Sequence, residues 1–252
     1  MTSLTLAAAQ SISVAGDLPG NIARHQAFIR AAATQGVQLL VFPELSLSGY
    51  EPTLAAELAV LPRSLLLQPL RDLARELGVT AVVGMPIRLS AEGPLLIGAL
   101  VLAADGSLAV YSKQHLHAGE ELVFSPGTGG ANLRFAEDRV ALAVCADFSQ
   151  ASHAHAAAQS GAGIYAAGVL ISENGYAADS ALLQGYAVEH AMLVLMANHG
   201  GPTGGWVSAG RSAIWGPDGA LIVAAAGCGD ELLIARRDAG HWSGQQVTVE
   251  AP

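Results

Sequence analysis

The spacing of apolar residues along this chain switches between the period of a strand and that of a helix. Residues 4–9 are strand-like, and residues 37–42 are an apolar run broken only by Gln38, as expected of a strand buried on both faces. Between them Asp17 is placed to cap a helix on which Ile22, Ile29 and Ala33 share one face, and Gly36 to end it. The clearest helical period follows Ser64. Leu66, Leu70, Leu73 and Leu77 recur at spacings of four, three and four, with Ser64 suited to the N-cap and Gly78 to the left-handed C-terminal position. Residues 79–87 predict a strand, and residues 95–103 and 108–111 a hairpin turned at Asp105-Gly106. The polar stretch 113–127, with its Gly and Pro, predicts a loop. A short strand over 140–144 then ends at Cys145, followed by helix 152–159, strand 163–171, helix 179–190 and strand 192–197. Two more strand-like runs flank Pro217-Asp218-Gly219. Helices and strands alternate, but hairpins interrupt them. The pattern predicts one α/β domain over residues 1–252 with mixed sheets.

Composition narrows the function. With 252 residues, 52% hydrophobic and 13% charged, the chain can bury a large core. Its net charge of −9 and 12 scattered basic residues exclude a nucleic-acid binder or an anionic-membrane binder. Cys145 and Cys228 are too few for a disulfide framework, which fits a reducing cytoplasm. The N-terminus lacks the basic start of a signal peptide, and apolar stretches such as 161–171 are too short to span a bilayer, so a cytoplasmic location is expected.

Three polar residues stand where apolar strands end: Glu44 after Val41-Phe42-Pro43, Lys113 after Val110-Tyr111-Ser112, and Cys145 after Leu142-Ala143-Val144. Strand ends are where α/β sheets bind ligands. A thiol attacks well only as thiolate, a carboxylate in reach can take its proton, and an ammonium stabilises the thiolate and then an oxyanion. The trio predicts acyl transfer through a thioester.

These segments, with Gly49-Tyr50, Tyr111-Ser112-Lys113-Gln114-His115-Leu116, Phe124-Ser125-Pro126-Gly127, Val144-Cys145-Ala146-Asp147, Ala197-Asn198 and Gly210-Arg211-Ser212-Ala213-Ile214, resemble in content and order the nitrilase superfamily of carbon–nitrogen hydrolases. The resemblance implies a four-layer αββα sandwich, with Glu44 as general base, Lys113 as oxyanion support and Cys145 as nucleophile. It implies the backbone N–H of Ala146 as a second oxyanion donor, no cofactor or metal, and a homodimer or larger homo-oligomer. The family's second glutamate falls to Glu120 or Glu121, and its spacing from Pro126-Gly127 favours Glu120. Tyr50, Phe124 and Trp206 are candidates for the substrate pocket, with ordinary core or rim packing as the alternative. Two departures bear on substrate. Relatives acting on carbamoyl amino acids often carry an Arg soon after the cysteine, absent from Asp147-Phe148-Ser149-Gln150-Ala151-Ser152-His153; Arg211 is the next basic residue to examine. Nitrilases often carry Trp-Glu after the cysteine, where this chain has Ala146-Asp147. The expectation is an amidase acting on a small, uncharged amide and releasing ammonia or an amine. The alternatives are a nitrilase or a catalytically silent small-molecule-binding scaffold.

Other motifs carry plainer readings. His115-Leu116-His117 and His153-Ala154-His155 pair imidazoles two apart, but the second pair falls on a helix, where that spacing diverges, and no carboxylate cluster accompanies either. His115 is expected to support the lysine loop, Asp147 to orient backbone after Cys145, and Cys228 to be structural. Gly200-Gly201-Pro202-Thr203-Gly204-Gly205 lacks the Lys-Ser/Thr of a phosphate loop and is expected to be a tight turn or pocket wall.

Overall fold

The computed structural model describes residues 3–252. Two sheets stack face to face. The first is built from β1 (Leu4–Gln10), β2 (Leu39–Val41), β3 (Thr80–Ile87), β4 (Leu96–Leu102), β5 (Leu108–Ser112), β12 (Glu231–Asp238) and β13 (His241–Thr248), in the order β13-β12-β1-β2-β3-β4-β5. The second comprises β6 (Leu133–Phe135), β7 (Asp138–Val144), β8 (Ile164–Val169), β9 (Leu193–Asn198), β10 (Ala213–Trp215) and β11 (Leu221–Ala224), in the order β11-β10-β9-β8-β7-β6. Each sheet has a parallel centre, β1-β2-β3 in one and β7-β8-β9 in the other, with antiparallel pairs outside it. The sheets are therefore mixed, as the hairpins predicted.

The period of two along each strand sorts residues into layers. Leu4, Leu6 and Ala8 of β1 face the other sheet and join Val140, Leu142 and Val144 of β7 in a core between the sheets. Ala7 and Ala9 point outward, into a cluster with Phe28, Ile29 and Ala32 of α1 (Leu18–Thr34) and Leu70 and Leu73 of α3 (Gln68–Leu77). On the far side Ala141 and Ala143 meet Ala154 and Ala157 of α4 (Ala151–Gln159) and Leu183 and Tyr186 of α5 (Tyr176–His190). The result is an αββα sandwich, with the short α2 (Ala55–Leu58) at its rim. Among the described residues, no helix is long and apolar enough to cross a membrane.

Three details depart from the pattern. Helix α1 buries Asn21, His25, Phe28, Ile29 and Ala32, while Ile22 and Ala33 are only half-buried. Its roll follows polar partners: Asn21 Nδ2 donates to Val14 O and Leu47 O at 2.8 and 2.9 Å, and Ser46 Oγ meets His25 Nε2 at 2.9 Å. The helix after Ser64 starts as a 3₁₀ turn, Leu65–Leu67, so Leu67 rather than Leu66 is fully buried; Ser64 caps the turn and Gly78 closes α3 at φ 69°. Finally, β6, β12 and β13 were not anticipated. β12 pairs with β1 along its whole length, from Leu4↔Arg237 to Gln10↔Glu231.

Candidate active site

The loop that follows β2 runs between the two sheets. Two glycines make room for it. A Cβ at Gly84 of β3 would lie 2.3 Å from Leu45 N and 2.5 Å from Pro43 O, and a Cβ at Gly168 of β8 would lie 2.5 Å from Phe42 O. Side chains fasten the loop from below: Gly84 N donates to Ser46 Oγ at 3.2 Å, and His199 Nε2 donates to Glu44 O at 2.7 Å. The Glu44 carboxylate is held 2% exposed.

Lys113 leaves β5 with its backbone N bonded to Ile97 O at 2.9 Å. Its ammonium reaches Glu44 Oε1 at 2.6 Å and both oxygens of Glu120 at 2.8 Å. Glu120 begins a 3₁₀ turn, Glu120–Leu122; its Oε1 accepts from Tyr50 OH at 2.8 Å and its Oε2 from His117 N at 2.7 Å. Glu121 points outward and accepts from Gly119 N at 2.7 Å. Of the two competing glutamates, Glu120 is the one on the lysine.

Cys145 ends β7 at φ 42°, a left-handed conformation that costs a side-chain-bearing residue about 1–2 kcal/mol. The turn Cys145–Asp147 is held there by one buried carboxylate. Asp147 Oδ2 accepts from Val144 N at 3.1 Å and from Tyr111 OH at 2.7 Å; Oδ1 accepts from Gln114 N at 3.0 Å and His115 N at 2.8 Å. His115 Nδ1 also meets Oδ1, at 3.1 Å. Asp147 thus ties the cysteine turn to the lysine loop. The half-buried thiol lies 3.7 Å from Leu170 O.

Above these groups lies a cavity of about 270 Å³. Glu44, Glu120, Cys145, Ala146, Tyr50 and Trp206 are among its walls. Phe124 is not: it is 3% exposed and packs in the core between the sheets, so the pocket expectation for it is corrected. Lys113 sits behind the two glutamates with its side chain fully buried. The walls also include His117, Ser172 and Asp179, which sequence reasoning passed over. Ser172 follows a strand, so the strand-end rule could have found it; Asp179 looks like any carboxylate in a helix's first turn. Thr203 Oγ1 accepts from Tyr50 N at 2.9 Å, and a Cβ at Gly204 would lie 2.0 Å from Tyr50 O, so the glycine-rich segment wraps Tyr50. Arg211 pairs with Glu173 at 2.6 Å and is not among the cavity walls, nor is the exposed Cys228. His153 is buried against Tyr165 OH at 2.8 Å while His155 is exposed, and among the described residues no group of three His, Cys, Asp or Glu is placed to hold a metal ion.

Burial dominates the titration of the site. It pushes Glu44 up to about 7; the Lys113 charge opposes this and the Glu120 charge adds to it. Burial and the Glu44 charge raise the Cys145 thiol. Burial alone would lower Lys113, but Glu44, Cys145 and Glu120 together hold it above the usual lysine range. Burial and the two glutamates raise Tyr50, which stays a donor. Glu44 Oε2 is buried and accepts no hydrogen bond from a nitrogen or oxygen among the described residues, while the neighbouring Cys145 thiol acts on the carboxylate and lowers it.

A thiol on a strained turn, an ammonium and two carboxylates, gathered at the strand ends of an αββα sandwich, define the nitrilase-type class of hydrolase. The carbon-nitrogen hydrolase family model matches residues 5–244, and the chain belongs to that family. It is similar in structure to an amidase from Nesterenkonia sp. AN1, with a TM-score of 0.83, 28% identity, and coverage of 94% of this chain and 91% of that one. Mutants of that amidase have been seen with acrylamide, with butyramide, and with the acetamide moiety of fluoroacetamide added covalently at the active-site cysteine. A nitrilase from Pyrococcus abyssi is 28% identical over 86% of this chain and 83% of its own length. A glutamine-dependent NAD(+) synthetase from Thermotoga maritima is 29% identical over 66% of this chain, and the match spans 29% of that protein's length.

Proposed function

We propose that this protein is a cysteine amidase that cleaves the C–N bond of a small amide bearing no carboxylate, through a thioester. The observation that carries the reading is Glu44. Its Oε1 is bound to Lys113, and its Oε2, which accepts from no nitrogen or oxygen among the described residues, shares a cavity with the Cys145 thiol.

The steps follow from that arrangement. The thiol proton passes to Glu44, and the thiolate attacks the amide carbon. Negative charge moves to the carbonyl oxygen, where the Lys113 ammonium and the Ala146 N–H stabilise it. The intermediate collapses, the C–N bond breaks, and Glu44 returns its proton to the departing nitrogen, which leaves as ammonia or an amine. Water then gives a proton to Glu44 and attacks the thioester. The second intermediate expels the thiolate, which recovers its proton from Glu44. Glu120 takes no proton here; it holds Lys113 and Tyr50 in place.

The amides bound by the Nesterenkonia amidase and the Ala146-Asp147 pair after the cysteine support an amide over a nitrile. The likeness to the Pyrococcus protein supports a nitrilase as second reading. The family resemblance supports a homodimer or larger assembly, which sedimentation would test. The decisive experiment offers short aliphatic amides and their matching nitriles, with ammonia release and intact-protein mass as readouts. Amides should release ammonia and give a transient acyl adduct, and Cys145→Ala should abolish both. Turnover of nitriles alone would replace the reading with a nitrilase, and no adduct or ammonia from any compound would leave a binding scaffold.

A further inference from the structure

The cavity carries an uneven distribution of charge. Glu44, Glu120 and Asp179, the last in the first turn of α5, all line it. Against three carboxylates stands one ammonium, Lys113, already engaged by two of them. The imidazole on the wall, His117, meets Ala118 O through Nδ1 at 3.1 Å and lies edge-on to Trp206, ring centroids 6.2 Å apart. Arg211, the basic residue nearest in expectation, is bound to Glu173 and lies over the Tyr176 ring.

Asp179 has no structural occupation that accounts for its place. Among the described residues its carboxylate makes no hydrogen bond or ion pair, and the N-cap of α5, Gly175, receives no side-chain cap bond. The carboxylate curls back over that glycine: a Cβ there would come within 3.0 Å of Asp179 Oδ2. It is half-buried, and burial raises it while the nearby His117 pulls the other way. Glu44 lines the same cavity, but its open oxygen serves the Cys145 thiol at the other end of the substrate, which leaves Asp179 as the carboxylate with no catalytic task. A half-buried carboxylate that makes no hydrogen bond or ion pair among the described residues and an aromatic ring lining the same cavity form the chemistry that receives an ammonium group.

We propose that Asp179 is a specificity-determining residue, which with Trp206 binds a cationic amine at the end of the substrate away from the scissile amide. This rests on the amidase reading and replaces the uncharged amide expected from the sequence with a cationic class: short ω-amino amides, with the carbonyl at Cys145 and the ammonium at Asp179. A substrate carboxylate would meet the same wall with the wrong sign. The bland role for Asp179, a carboxylate stabilising the N-terminal end of a helix, affects folding but not the choice between substrates.

The test compares two amides of equal length, 4-aminobutanamide and pentanamide, which differ by an ammonium in place of a methyl. The wild-type enzyme should favour the cation in kcat/KM by about tenfold or more, as expected for one charge-assisted hydrogen bond. The preference should fall as salt is raised. In Asp179→Asn the ratio should collapse to about one, mainly through KM for the cation, and Asp179→Glu should restore part of it. Turnover of both amides by the wild type with no preference, or a preference that survives in Asp179→Asn, overturns the inference alone. Turnover of neither amide, nor of any other, overturns the amidase reading beneath it. If Asp179→Asn lowers both activities equally and leaves the ratio intact, the role is structural and the proposal is wrong.

Discussion

Glu44 must be ionised to take the thiol proton, and burial holds it up to about 7. Lys113 is held above its usual range and stays charged throughout. The acid limb of kcat/KM should therefore rise with pH through about 7, leaving roughly a tenth of the plateau activity one unit below. That apparent value belongs to the coupled cluster of Glu44, Lys113, Glu120 and Cys145. A pH–rate profile checks it, and Glu44→Gln should lower kcat by roughly a hundredfold or more and abolish the limb. Glu120→Gln weakens the grip on Lys113 and should also lower kcat by roughly a hundredfold, as for loss of a preorganised oxyanion donor, whereas Glu121→Gln should change stability by no more than about 0.5 kcal/mol.

The same residues shape acid stability. Burial lowers His25 to about 3 and His199 to about 4, so both are neutral when folded and take protons on unfolding below about 6.5. Their contribution is present above that pH and is lost as pH falls towards 4. Glu44 runs the other way: its contribution is present near 4.5 and lost as pH rises through 7. Between pH 6.5 and 4.5 the net effect of these three groups is one proton, or about 1.4 kcal/mol lost per unit of falling pH. Urea unfolding across that range measures the slope. Glu44→Gln removes the offset and should steepen the slope by about 1.4 kcal/mol per pH unit; an unchanged slope would contradict the assignment.

At the scale of elements, the site depends on what is missing from two strands. Gly84 and Gly168 let the Glu44 loop lie between the sheets, and neither carries a positive φ, so the requirement is space rather than conformation. Gly168→Ala should lose about 1–3 kcal/mol of stability and, by displacing Glu44, a larger share of kcat than of KM. Gly185 of α5 is the control. An added Cβ there meets no atom within 4 Å, and it is an exposed helical position. Gly185→Ala should stabilise the fold by about 0.5–1 kcal/mol with kinetics unchanged. Thermal melts and steady-state rates on both variants separate the two cases.

Across the whole molecule, the two sheets are joined by their shared core and by a forked ion pair. Asp138, at the start of β7, receives both terminal nitrogens of Arg237 on β12 at 2.8 and 2.6 Å, with the guanidinium over the Trp242 ring at 5.4 Å. Both side chains are about nine-tenths buried, so removing one charge leaves the other poorly solvated. Asp138→Asn should lower stability by about 2 kcal/mol, below the loss for a fully buried pair. The pair and Cys145 lie at opposite ends of β7, roughly 20 Å apart at the usual rise per residue, so kcat should not follow. Denaturation and turnover measured on one preparation test both halves.

Much of this molecule was written in local pattern. A run of apolar residues marks a strand wherever it lies, which is why the central strands of both sheets, the Asp17 and Ser64 caps and the strand-end positions of Glu44, Lys113 and Cys145 were legible. The family's usual spacing back from Pro126-Gly127 also pointed to Glu120, the glutamate that meets Lys113. β12 and β13 were not legible. The register of β12 with β1 joins distant parts of the chain, and β13, though it follows β12 in a tight hairpin, is largely exposed and polar, so it shows no buried-strand signature. The roll of α1 was decided by Asn21 and His25 finding partners on loops, and Phe124 went to the core while Asp179 came to the cavity. Periodicity and capping act over a few residues, and sequence alone carries them. A cavity wall is assembled from side chains as far apart as Glu44 and Trp206, and only the packed sheets decide which of them meet.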